Sequence, residues 1–108
     1  MDEQEFRRRA DAALEDLQRR LSAAGERHEL ESDFNAGALV VEFEDPPAKF
    51  VVSPNAPVRQ IWVSAQMRSY KLDWDATRES FVFAESGQTL AELLAAAISE
   101  RLGEPVSL

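Results

Sequence analysis

Between residues 25 and 45 stand Glu26, Glu29, Glu31, Asp33, Glu42, Glu44 and Asp45, with Arg27 as the only basic residue among them. That stretch alone carries -6 of the chain's formal net charge of -8. Carboxylates without nitrogen or sulfur partners suit hard cations, and they bind them weakly and with little selectivity. No set of positions here defines a closed coordination cage. A row of acids is also how an edge strand discourages other chains from pairing with it. The pattern therefore admits both a loose cation site and a merely charged edge.

A second constellation lies within Pro54 to Trp74, PNAPVRQIWVSAQMRSYKLDW. Ile61 and Val63 share one phase of a period-2 pattern, and Gln60, Trp62 and Ser64 share the other. If Ile61 and Val63 face a core, Trp62 stands in water beside two polar residues. An exposed aromatic ringed by polar side chains is suited to anchoring a partner protein. A sheet covered on both faces would bury Trp62 instead.

Other chemistries are poorly supplied. The chain has no cysteine, which excludes disulfides, thiolate metal sites and a cysteine nucleophile. His28 is the only histidine, so a histidine-based metal triad is impossible, and a surface position is expected for it. Nothing resembles a nucleophile elbow or a phosphate-binding glycine loop. No enzymatic activity is expected. The acidic balance argues against sequence-independent nucleic-acid binding. No apolar run approaches the roughly 18 residues of a membrane span. The N-terminal MDEQEFRRRA lacks the apolar core of a signal peptide, so a cytoplasmic location is expected.

The elements that must position these residues follow from periodicity. The 108 residues, 44 % of them hydrophobic, predict one domain over 1–108 with a single core. Asp2 can cap a first helix, with Glu5 three residues on. Phe6, Ala10, Leu14, Leu17, Leu21 and Ala24 form its apolar stripe, and Gly25 marks its stop. Glu15–Arg19 and Asp16–Arg20 are spaced to pair along its surface. Short alternating runs follow. Leu30, Ser32 and Phe34 share a phase opposite to Glu29, Glu31 and Asp33. Leu39, Val41 and Phe43 point one way, and Val40, Glu42 and Glu44 the other. Asn35-Ala36-Gly37 and Asp45-Pro46-Pro47 read as turns, and Pro54 and Pro57 as the bounds of a loop. Phe50 and Val52 continue the inward set. Strands at Ile61–Val63, Tyr70–Trp74 and Phe81–Phe83 bring the number to six.

A second helix begins at Thr89, with Glu92 completing a capping box. Leu90, Leu93, Leu94, Ala97, Ile98 and Leu102 line one face, and Gly103 and Pro105 end it. The predicted class is α+β: an α-β6-α two-layer sandwich, both terminal helices on one face of an antiparallel meander. Its other face stays open. If the first two strands pair, Glu29, Glu31, Asp33, Glu42 and Glu44 crowd together there with little basic compensation. Like charges so placed are mutually destabilising unless a cation or a basic partner offsets them.

This order of elements, the acidic start, QIWVS at Gln60 to Ser64, YKLDW at Tyr70 to Trp74 and SGQTLAELL at Ser86 to Leu94 together resemble the frataxin family. The bacterial, CyaY-type branch fits best, because the chain begins almost directly with its first helix. The resemblance spans essentially the whole chain, and P-x-x-Q-I-W is its specific motif.

What the resemblance implies is a small iron-linked protein of iron–sulfur cluster assembly, not an enzyme. It would bind Fe²⁺ or Fe³⁺ weakly through an acidic ridge and dock on the cysteine desulfurase and scaffold complex. Carried over by position, the ridge becomes Glu26, Glu29, Glu31 and Asp33 on strand one, with Asp11, Glu15 and Asp16 on the helix. Glu42 and Glu44 are added to the ridge by the phase of strand two, not by the resemblance. The partner contact becomes Gln60 and Trp62, with Asn55 in the loop before them. The end of helix one departs from bacterial relatives: Gln18, Arg19, Ser22, Ala23 and Gly25 stand where those are rich in acids. Two alternatives stay open: a partner-binding regulatory module with little intrinsic iron binding, and an iron-oxidising or storage assembly. A monomer is expected, with oligomers on iron addition as the mark of the storage alternative.

Overall fold

Asp2 caps the first helix as its side chain suggests, its Oδ1 accepting the Glu5 N–H at 2.7 Å. Helix α1 runs Glu3–Gly25 in the computed structural model, which describes residues 1–44 and 46–108. The expected turn at Asp45-Pro46-Pro47 therefore lies partly outside the described residues, at Asp45. The whole predicted stripe of α1, from Phe6 to Ala24, is buried. Gly25 belongs to the last turn of the helix. A Cβ there would stand 3.0 Å from the Leu30 carbonyl oxygen, so the close return of the chain favours a glycine.

Among the described residues seven antiparallel strands follow in simple meander order: β1 Glu31–Asn35, β2 Ala38–Glu44, β3 Pro47–Asn55, β4 Gln60–Ala65, β5 Arg68–Asp75, β6 Ser80–Phe83 and β7 Gln88–Thr89. Six were expected. The seventh has two residues, too few to show alternation, and pairs Thr89 with Val82 and Gln88 with Phe83. Strand β3 is also longer than predicted. Pro47, expected in a turn, opens it, and Pro54, expected to begin a loop, pairs with Ile61. Only Ala56–Val58, a short 3-10 turn, separates β3 from β4 apart from Arg59.

Two hairpins set the register of the sheet. Ala36 and Gly37 have φ of 53° and 85°, and Gln66 and Met67 have φ of 54° and 62°. Positive φ at both central residues is the two-residue turn whose twist matches paired strands. Asn35 is thereby placed opposite Ala38, and Ala65 opposite Arg68.

Helix α2, Leu90–Leu102, starts in the predicted capping box: Thr89 Oγ1 accepts the Glu92 N–H at 3.3 Å, and Glu92 Oε1 accepts the Thr89 N–H at 2.9 Å. Gly103 ends it with φ 70°. Leu90, Leu93, Leu94 and Ile98 are buried, while Ala97 and Leu102 are partly buried at the margin.

Both helices lie on one face of the sheet. Their buried residues join Leu39, Val41, Phe43, Phe50, Val52, Ile61, Val63, Leu72 and Phe81 in one cluster. The Phe6 ring meets the Phe81 ring edge-on at 5.8 Å, tying α1 to β6. Phe34 shares a phase with buried Leu30 yet is 43 % exposed, because it stands beside the turn on the outermost strand. Among the described residues no helix is long and apolar enough to cross a membrane.

Candidate functional site

The acidic patch forms at the β1 edge, in part as predicted. The two-residue turn places Glu31 directly opposite Glu42, and Asp33 opposite Val40. A groove of about 460 Å³ runs between this edge and the end of α1, and Glu26, Glu31, Asp33 and Glu42 line it together with Ser22 and Gly25. Among the described residues none of these four carboxylates lies in an ion pair. Asp33 Oδ1 accepts the neighbouring Phe34 N–H at 2.8 Å.

Several expectations for this patch need correction. Glu26 is the C-cap of α1, and Glu29 lies in the turn that follows, so neither belongs to the first strand. Glu44 sits at the far end of β2, opposite Pro47, and does not line the groove. The patch also has basic compensation, because Lys49 on β3 is the direct cross-strand partner of Glu42. On the helix, Arg19 turns to Asp16 at 3.2 Å rather than to Glu15, and Arg20 reaches the same carboxylate at 2.8 Å. The hydrogen bond from Arg20, with the charges of both arginines beside it, holds the Asp16 carboxyl below its ordinary 3.8. Asp16 is thus already occupied.

Asp11 and Glu15 are exposed and do not line the groove, although Gln18, one turn beyond Glu15, donates its Nε2 to Ser32 O of β1 at 3.3 Å. At 1.5 Å per residue the two carboxylates stand about 22 Å and about 16 Å from Glu26 along the helix axis. Asp11 borders a separate hollow with Pro54 and Ala56. Among the described residues no three of His, Cys, Asp or Glu are placed to hold one metal ion. The groove can therefore offer a cation one or two carboxylates at a time, with water completing its shell.

The second constellation is more ordered. Trp62 is 37 % exposed on the open face, while Ile61 and Val63 are buried beneath the helices. Its indole Nε1–H donates to Gln60 Oε1 at 2.9 Å. Gln60 Nε2 in turn donates to Asp73 Oδ1 at 3.1 Å. Lys71, opposite Trp62 in register, holds its Nζ 4.9 Å from the ring centroid. Asn55 ends β3 directly opposite Gln60, so the three residues expected to meet a partner share one corner of the open face. Between this corner and Glu42 lie two strand spacings and four residues of strand, about 17 Å on the same face.

Lys49, Lys71 and Asp73 were not singled out from sequence as site residues. The signal for them is the cross-strand register, which for Lys71 and Asp73 becomes readable only once Gln66-Met67 is recognised as a two-residue turn without glycine, and for Lys49 depends on the β2–β3 pairing. His28, expected at the surface, keeps only 14 % of its side chain exposed, with Nδ1 3.6 Å from Glu104 Oε1. The larger cavity, about 540 Å³ between the helices, is lined by Arg9, Arg20, Trp74 and Phe81. Its arginines are already paired, Arg9 with Glu5 and Arg20 with Asp16, which makes it a poor anion site.

Comparison with known proteins gives a concordant result. The model of the frataxin-like domain family matches residues 1–104. The iron–sulfur cluster assembly protein CyaY of Azotobacter vinelandii strain DJ is 32 % identical over 93 residues, covering 84 % of each chain. The frataxin of Psychromonas ingrahamii superposes with a TM-score of 0.84 over 99 % of this chain and 97 % of its own, at 23 % identity, a likeness of fold.

Proposed function

The chain belongs to the frataxin-like family, beside the bacterial CyaY proteins, and on that footing we propose that it serves iron–sulfur cluster assembly as an accessory protein that docks on the cysteine desulfurase complex. It is not an enzyme; it works through its surfaces, in the cytoplasm, as a monomer. The observation that carries the docking reading is Trp62, a large aromatic held in a defined orientation on the uncovered face. Such a residue supplies the apolar anchor of an interface, and the acidic edge about 17 Å away supplies charge for a basic patch on the partner. Iron is cargo in this reading. Fe²⁺ or Fe³⁺ is held loosely at Glu31 and Glu42, with Glu26 and Asp33 nearby, by carboxylates that keep most of the ion's water.

One observation favours a second reading, a partner-binding module with little iron binding of its own. Asp16 is already paired with Arg19 and Arg20, and the helix side chain that reaches β1 is the neutral Gln18, whose Nε2 donates to Ser32 O at 3.3 Å, so the helix adds little charge to the strand acids. Titrating the isotope-labelled protein with the cognate cysteine desulfurase, with and without anaerobic Fe²⁺, separates these readings. Amide shifts on the open faces of β3, β4 and β5 support docking, and shifts on the helix face alone contradict it. Equal affinity with and without iron favours the second reading.

A further inference from the structure

We propose that Asp73 is a positioning residue for the Trp62 anchor, acting through Gln60; this rests on the docking reading above. The three side chains form a one-way relay. Trp62 Nε1–H can only donate, and an ionised Asp73 carboxylate can only accept. Gln60 stands between them with one donor end and one acceptor end. Register makes Asp73 the direct cross-strand neighbour of Gln60, so the carboxylate draws the Nε2 end of the amide, at 3.1 Å. Oε1 is then left facing the indole, which it meets at 2.9 Å. The opposite amide orientation would set oxygen against carboxylate and N–H against N–H, two repulsions at once. The acceptor on β5 therefore selects the amide orientation on β4, and the amide fixes the indole edge.

Lys71 completes the arrangement from the same strand as Asp73, over the ring face. All of these groups are solvent-accessible, so their bonds add little to the stability of the fold. Their consequence is order. A ring already fixed in the free protein loses less freedom when a partner closes on it.

The test uses the full chain with Asp73→Ala, Asp73→Asn and Trp62→Ala. In the free protein, NMR reads solvent exchange and the order parameter of the Trp62 indole Nε1–H, with the Trp74 indole as internal control. Asp73→Ala is expected to speed Trp62 indole exchange at least about fivefold without moving Trp74 or the melting temperature. Its affinity for the cognate cysteine desulfurase is expected to fall about three- to tenfold. Asp73→Asn keeps an acceptor oxygen and loses the charge, so it is expected to restore both readouts.

An unchanged Trp62 indole in Asp73→Ala overturns the relay. A loosened indole with undiminished affinity, where Trp62→Ala does weaken binding, overturns the positioning role alone. Equal weakening by Asp73→Asn and Asp73→Ala, with the indole restored only in the former, shows a direct charge contact and overturns it as well. Failure of the docking reading is seen separately, as unchanged affinity in Trp62→Ala.

Discussion

Glu31 and Glu42 face each other directly across the β1–β2 pair, two like charges at the rim of the sheet. Lys49 lies on the other side of Glu42 and offsets one of them. Directly opposed like charges on a sheet are destabilising, by an amount comparable to the gain from an opposite pair. Glu31→Lys is therefore expected to raise stability by about 0.5–1 kcal/mol. Urea unfolding at low salt measures it, and the gain shrinks as ionic strength rises.

The same pair predicts where iron is felt. Anaerobic Fe²⁺ titration is expected to perturb amides around Glu26, Glu31, Asp33 and Glu42, and to leave those near Asp11 unchanged. Glu42→Gln removes one of the two opposed carboxylates and reduces the effect. Perturbation centred on Asp11 would contradict the placement of the cargo site.

Ala36 occupies a position that favours glycine. With φ at 53° in the β1–β2 turn, it carries the steric cost of a left-handed Cβ. Ala36→Gly is expected to stabilise the protein by about 0.5–1 kcal/mol, the relief of strain exceeding the entropic cost of added freedom. A lowered midpoint in urea would show that the turn is not under strain.

The second helix carries a pH signature. The hydrogen bond from the Thr89 backbone N–H, with the Thr89 side chain next, holds the Glu92 carboxyl below its ordinary 4.5. A group whose folded value is depressed contributes stability that is complete above 4.5 and is lost as pH falls through the lower folded value. Glu92→Gln keeps an acceptor but no charge, so its unfolding midpoint is expected to vary less with pH across that interval. Thr89→Ala, which removes the cap itself, is expected to cost about 1 kcal/mol.

Helical order was legible because it repeats. Six apolar residues of α1 recur at spacings of three and four, and all six are buried. Leu39, Val41 and Phe43 disclosed the inward face of β2 in the same way, and Trp62 fell on the open face by its phase. What stayed hidden depends on where one strand meets the next. Lys49 opposite Glu42 and Asp73 opposite Gln60 are register contacts, and a slip of one residue would move each to the other face. Glu29 alternated correctly with Leu30 but lies before the strand, because the chain is still turning off α1 at Gly25. β7 was masked by Thr89, whose capping role says nothing of its pairing with Val82.

The most direct test of the docking account is the affinity of Trp62→Ala for the cognate cysteine desulfurase, measured by calorimetry beside its melting curve. Loss of a central anchor is expected to cost about 2 kcal/mol or more of binding, roughly thirtyfold, while the melting temperature changes little. Wild-type affinity in a folded Trp62→Ala protein would contradict the account and place the working surface elsewhere.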